Sequence, residues 1–190
     1  MALQVSIIGP TNIGEMASFT GKTPEFLLGR AELVGRILAE LGCDLFTNAG
    51  EGMLFGVAQA YLANGGTSWT VILSEEPVPW PNYHVLPYKD KASVTMWTKD
   101  WYRANHGTVE VPTVCICMGL SLGTFGEHVL AGWDIRFPRM NLKQLIVIQE
   151  LLSDWYRGSL PPEIEHVLKP KLLYIPTAEE VREVLMRFLT

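Results

Sequence analysis

The feature that most restricts the fold is a repeated change of hydrophobic period along the chain. Six short apolar runs stand out: LQVSIIG (3–9), CDLFTN (43–48), WTVILS (69–74), VPTVCICMG (111–119), LKQLIVIQ (142–149) and KLLYIP (171–176). They are short, rich in aliphatic and β-branched residues, and end on glycine, proline or a polar side chain, which is the signature of strands. Most are continuous rather than alternating in polarity, as expected of strands covered on both faces. Segments with helical spacing separate them. Strands alternating with helices imply a parallel sheet with helices on both sides. The expected fold class is therefore α/β, a single domain over residues 1–190 with a three-layer α/β/α arrangement and a mostly parallel sheet.

The helical segments carry their own punctuation. Thr23-Pro24-Glu25 reads as a helix start with proline in the first turn. Phe26, Leu27, Ala31, Val34, Ile37, Leu38 and Leu41 then recur at helical spacing, and Gly42 ends the run. In AGEGMLFGVAQAYLANGG, Gly52, Gly56 and Ala60 form a stripe of small residues, which lets a helix lie close to a sheet or a ligand. The segment 92–105, ASVTMWTKDWYRAN, reads as helix, and residues 10–25 read as a long loop. Near the C-terminus, Thr177 with Glu180 three residues later predicts a capping box.

Composition narrows the class. With 190 residues, 48% apolar and 18% charged, the chain is long and apolar enough for one sizeable core. A formal net charge of −5 opposes a broad nucleic-acid footprint. No apolar run approaches the roughly 20 residues of a membrane helix. The start MALQVSIIGP lacks the basic region of a signal peptide, so a cytoplasmic location is expected. The three cysteines, Cys43, Cys115 and Cys117, have no framework spacing. Cys115 and Cys117 share one strand face and read as buried thiols. A metal pair would want more ligands, and His106 is the only neighbour in sequence, so no metal is expected.

Chemistry is expected at the carboxyl ends of the strands, where open α/β sheets bind ligands. Three strand-to-helix loops are unusual: Gly9, Pro10, Thr11 and Asn12; Gly50, Glu51, Gly52 and Met53; Gly119, Ser121, Leu122, Gly123 and Thr124. Helix starts offer free N–H groups, and glycine lets backbone approach an anion. Together these loops make a pocket suited to a phosphorylated small molecule. Neither GxGxxG nor GxxxxGK[ST] is present, so neither a standard dinucleotide site nor a P-loop is indicated. Glu127, one turn after Thr124, is a candidate acid, base or hydroxyl-binding group. Arg103, beside Trp101 and Tyr102, is a candidate phosphate cation.

This constellation resembles the LONELY GUY-type proteins, long mislabelled lysine decarboxylases, within a wider Rossmann-like group that includes DNA-processing protein A and molybdenum cofactor carrier proteins. The resemblance runs over nearly the whole chain. It rests on VSIIGP, on NAGEGMLFGVAQAYLANGG, on LGTFGE, and on LIVIQELLSDWYRG with KPKLLYIPTAEEV. It implies a Rossmann-like nucleotide-binding fold, a homodimer, and hydrolysis of the N-glycosidic bond of nucleoside 5′-monophosphates with Arg103 and Glu127 as catalytic residues. Two departures stand in the motif itself. Gly119-Leu120-Ser121 replaces the family's Pro-Gly-Gly, and WYRAN replaces its Arg-Lys pair. The carrier proteins imply the alternative, a non-catalytic carrier or sensor of a nucleotide or pterin, with Trp80, Trp97 and Trp101 available for stacking. Neither reading requires a further cofactor.

Overall fold

The computed structural model describes residues 2–48, 50–75, 89–136, 141–153 and 158–189. The apolar runs form β1 (Gln4–Ile8), β2 (Asp44–Asn48), β3 (Trp69–Ser74), β5 (Val114–Cys117), β6 (Gln144–Ile148) and β7 (Leu172–Ile175), joined by an additional strand, β4 (Val94–Thr98). All seven lie in one parallel sheet of order β4-β3-β2-β1-β5-β6-β7. β1 is central, with Val5 opposite Leu45 on one side and Val114 on the other. Successive strands move outward from β1 to β4, then the chain returns to place β5 on β1's free side. The strand order thus reverses between β1 and β5, the switch point where α/β folds open a crevice.

Because side chains alternate across a strand, the sheet carries two cores. On one face Val5, Ile7, Leu45, Val71 and Ile116 pack against α2 (Pro24–Glu40), α3 (Gly52–Ala63) and α7 (Val181–Leu189). On the other, Ile8, Cys115, Cys117 and Val147 pack against α4 (Trp101–Glu110), α5 (Leu122–Ile135) and α6 (Pro162–Leu168). This division follows from right-handed crossovers running first one way and then the other. Among the described residues no helix is long and apolar enough to cross a membrane.

The α2 start is as the sequence predicts: Pro24 is in the first turn and the Thr23 hydroxyl accepts the Phe26 N–H at 3.2 Å. Gly42, with φ +65°, follows its end. Four expectations need correction. Residues 10–25 are not all loop, since α1 (Ile13–Thr20) lies within them. Its content of Gly14, Ser18 and Thr20 hides it, but Asn12 caps it by accepting the Glu15 N–H, and left-handed Gly21 closes it. Residues 92–105 are not one helix. Val94, Thr95 and Thr98 favour an edge strand, and Asp100 restarts the chain as α4 by accepting the Arg103 N–H at 2.8 Å.

Two members of the α3 small-residue stripe, Gly56 and Ala60, meet another helix, whereas Gly52 abuts the Pro10–Thr11 backbone at the end of β1. A Cβ on Gly35 of α2 would lie 2.8 Å from the Ala60 Cβ, and one on Gly56 would lie 3.0 Å from the Ala31 Cβ. Finally, Thr177 makes no capping bond. The Glu150 carboxylate takes the Ala178 N–H instead, at 2.8 Å, and residues Ala178–Glu180 form a 3-10 turn.

Candidate functional site

The three glycine loops leave β1, β2 and β5 at the switch point. A Cβ on Gly9 would stand 3.1 Å from the Met118 Cβ, so the ends of β1 and β5 nearly touch. The Pro10 carbonyl accepts the Met53 N–H at 3.1 Å. Gly52 has φ +64°, and a Cβ there would sit 2.5 Å from the Thr11 carbonyl oxygen. Both conditions demand glycine. Gly50 is pressed in the same way against the Thr11 methyl. The first two loops are therefore one backbone-to-backbone unit.

The third loop turns at Gly119, φ +113°, beneath the Met16 methyl of α1. Ser121 then caps α5, its hydroxyl accepting the Thr124 N–H at 3.2 Å and lying 2.9 Å from the Thr124 hydroxyl. This arrangement satisfies the third N–H of the helix. The Leu122 and Gly123 N–H groups have no hydrogen-bond partner among the described residues. Leu122 is 90% exposed and Gly123 is open to solvent. An anion can meet the positive end of α5 there.

Glu127 lies below this surface, only 3% exposed. It belongs to a buried polar group that joins three elements. The Asn48 amide, at the end of β2, donates through Nδ2 to Asn105 Oδ1 at 2.7 Å and to Glu127 Oε1 at 3.1 Å. The Thr108 hydroxyl bonds the Asn105 carbonyl at 2.6 Å and reaches Glu127 Oε1 at 3.3 Å. Burial pushes the Glu127 carboxyl up to about 8, with the Thr108 hydroxyl bond pulling the other way. The acid is therefore largely protonated at neutral pH, a state suited to donating a proton.

Sequence reasoning missed Asn48, Asn105 and Thr108. Two signals mark them. Asn48 is an amide at the carboxyl end of a strand, directly before a glycine-rich turn, and Asn105 and Thr108 stand three apart on one helix face. Beside Glu127, His128 is buried, and neither ring nitrogen makes a hydrogen bond of good geometry among the described residues. Burial pushes it down to about 4, against a smaller opposing effect of the Thr124 carbonyl.

Arg103 is not brought to Glu127 within the chain. Its side chain is 71% exposed and its Nε lies 3.7 Å from Asp100 Oδ2, in the first turn of α4. No hydrogen bond or ion pair joins it to Glu127 among the described residues. Trp97 is exposed on edge strand β4 and Trp101 is half-buried, while Trp80 lies outside the described residues. Cys43, Cys115 and Cys117 are free and buried, and burial pushes the Cys117 thiol up to about 12. His106 Nε2 is bound to Asp134 of α5, apart from the thiols. Among the described residues no three His, Cys, Asp or Glu gather as a metal site.

Neither a family model nor a curated protein matches the chain. Solved structures do. A molybdenum cofactor carrier protein from Chlamydomonas reinhardtii superposes with a TM-score of 0.71 at 14% identity, covering 100% of this chain and 99% of that one. The molybdenum cofactor binding protein from Rippkaea orientalis gives 0.72 at 19% identity, with the same coverage. DNA processing protein A from Helicobacter pylori, described by its single-stranded DNA binding mode, gives 0.63 at 14% identity over 99% of this chain and 82% of that one. At these identities the likeness establishes the fold, a Rossmann-like α/β sheet shared with this wider group.

Proposed function

We propose that the protein binds a phosphorylated nucleotide or pterin-like molecule at the carboxyl ends of β1, β2 and β5, and acts as its carrier or sensor. One observation carries this reading. Three glycine-dependent loops converge where the strand order reverses, and the unpartnered Leu122 and Gly123 N–H groups stand at the start of α5. In this reading the phosphate sits against the α5 start, with Ser121 and Thr124 fixing the turn. Gly9 to Asn12 and Gly50 to Met53 form the opposite wall. The carrier form is favoured because Glu127 is covered and Arg103 stands exposed beside Asp100, so among the described residues the two are not paired. Two of the structures that share the fold are a molybdenum cofactor carrier protein and a molybdenum cofactor binding protein.

A second reading has its own support. The protonated Glu127 is in the right state to act as a general acid in cleaving a nucleoside 5′-monophosphate, with Arg103 orienting the substrate. Native mass spectrometry of the purified protein, followed by incubation with nucleoside monophosphates and chromatography for free base, separates the two. A bound nucleotide or pterin without base release supports the carrier. Base release that disappears in Glu127→Gln supports the hydrolase. The absence of both binding and release refutes both readings.

We also read the protein as a homodimer in the cytoplasm; the exposed stripe Leu122, Val129 and Trp133 on α5 supports the assembly. These residues recur on one helix face, with the open Gly126 between them. Light scattering tests the assembly: a dimer that Trp133→Glu converts to monomer supports it, and a monomeric parent refutes it.

A further inference from the structure

The buried polar group contains one unsatisfied atom that the proposed site explains. Asn48 is the last residue of β2, 6% exposed, two residues before the Gly50–Met53 loop. Its Nδ2 is committed twice, to Asn105 on α4 and to Glu127 on α5. Its Oδ1 is covered from solvent and has no hydrogen-bond partner among the described residues. The amide is planar, so turning it to satisfy the oxygen would break both bonds of the nitrogen. A buried acceptor left empty is costly, and native proteins seldom keep one without a reason. Bulk water does not reach it.

We infer that Asn48 is the specificity-determining residue of the site: its side-chain carbonyl accepts a hydrogen bond from an O–H or N–H donor of the bound molecule. This rests on the ligand-binding reading above. The two helix residues hold the amide in place before the ligand arrives, so the acceptor is preorganised rather than recruited. The donor is a sugar hydroxyl or an exocyclic amino group, and a side-chain shift over the end of β2 admits it. A molecule that lacks the donor leaves the carbonyl unpaired, as it is in the free protein, and binds more weakly by the hydrogen bond it does not form.

The test varies the ligand first, so that it does not depend on a variant folding. Binding of adenosine 5′-monophosphate to the intact chain is compared by calorimetry with its 2′-deoxy, 3′-deoxy and 6-deamino analogues, and guanosine with inosine 5′-monophosphate. Loss of the matching donor should weaken binding by about 10-fold or more. The deoxy arms report a hydroxyl as the donor and the base arms an amino group. In Asn48→Leu, checked for folding by circular dichroism, the same deletion should change binding less than about twofold, as expected when the paired contact is already gone. If the parent binds the monophosphates but no donor deletion matters, the inference is overturned while ligand binding stands. If donor deletions cost the same in Asn48→Leu as in the parent, Asn48 is not the acceptor. If none of these monophosphates binds at millimolar concentration, the nucleotide-binding reading falls and this inference with it.

Discussion

Glu127 and His128 are neighbours on α5, and both are buried in their neutral forms, with opposite consequences for stability. The Glu127 carboxyl rises from 4.5 to about 8 on folding. Its contribution is complete below pH 4.5 and is lost as pH rises through 8, because the unfolded chain releases the proton first. His128 falls from 6.5 to about 4, so its contribution is complete above 6.5 and is lost as pH falls through 4. Between pH 4.5 and 6.5 the two oppose each other. Between 6.5 and 8 Glu127 acts without His128. Urea unfolding across that upper window should show the parent losing about 1.5 kcal/mol. Glu127→Gln should remove this slope. A parent whose stability is flat there would mean that the carboxyl ionises normally. The sequence pointed to Glu127 by its place after Gly123-Thr124, but not to its covering. Asn48, the pair Asn105 and Thr108, and Glu127 come from three different stretches, and only the packing of α4 and α5 over the end of β2 brings them together.

At the scale of elements, the glycines divide by what they touch. Gly35 is closed by the Val57 carbonyl and Ala60 of α3, so any side chain forces α2 and α3 apart. Gly123 has only the Ser121 hydroxyl near it, at 3.8 Å from an added Cβ. Gly35→Val should therefore lower stability by about 2 kcal/mol or more through overpacking, read by thermal or urea unfolding. Gly123→Ala should leave stability within about 0.5 kcal/mol of the parent. If both variants unfold alike, the close α2–α3 contact is wrong. The capping turn behaves differently again. Ser121→Ala removes the bond to the Thr124 N–H and should cost about 1 kcal/mol.

Elements also show why parts of the chain were legible. Runs such as QLIVI and VCIC have one reading because no helix face explains them. The piece from Val94 to Trp101 had two, since Met96, Trp97 and Trp101 satisfy a helical spacing and Val94, Thr95 and Thr98 satisfy a strand. Pairing of Thr70 with Val94 and of Ile72 with Met96 decides it, and such long-range pairing cannot be read locally. The α3 stripe was likewise visible, but its partner was not, because closeness to α2 depends on Gly35 standing opposite.

For the whole molecule, strand order places the proposed ligand site and net charge bears on which ligand it would take. The central position of β1, with β2 and β5 at its sides, puts the three loops at one edge. That placement followed from the strand–helix alternation together with the general rule for α/β sheets. The additional strand β4 widened the sheet without moving the switch point. The fold itself does not choose between a small phosphate and a polynucleotide, since a DNA processing protein A shares it. Charge and the kind of donor do. On the proposed reading, a chain with net charge −5 would hold phosphate through backbone N–H groups and displace few counterions. A polynucleotide held by several Lys or Arg side chains loses affinity steeply with salt, with a slope of about 0.7 per phosphate on single strands. Binding of a nucleoside 5′-monophosphate and of a labelled oligothymidine should therefore be followed from 50 to 200 mM salt, an interval over which such contacts weaken markedly. The monophosphate should change by less than about threefold, and the oligonucleotide should not compete with it. Tight oligonucleotide binding that collapses over the same range would place this chain's use of the fold with the DNA-binding branch, whatever the glycine loops imply.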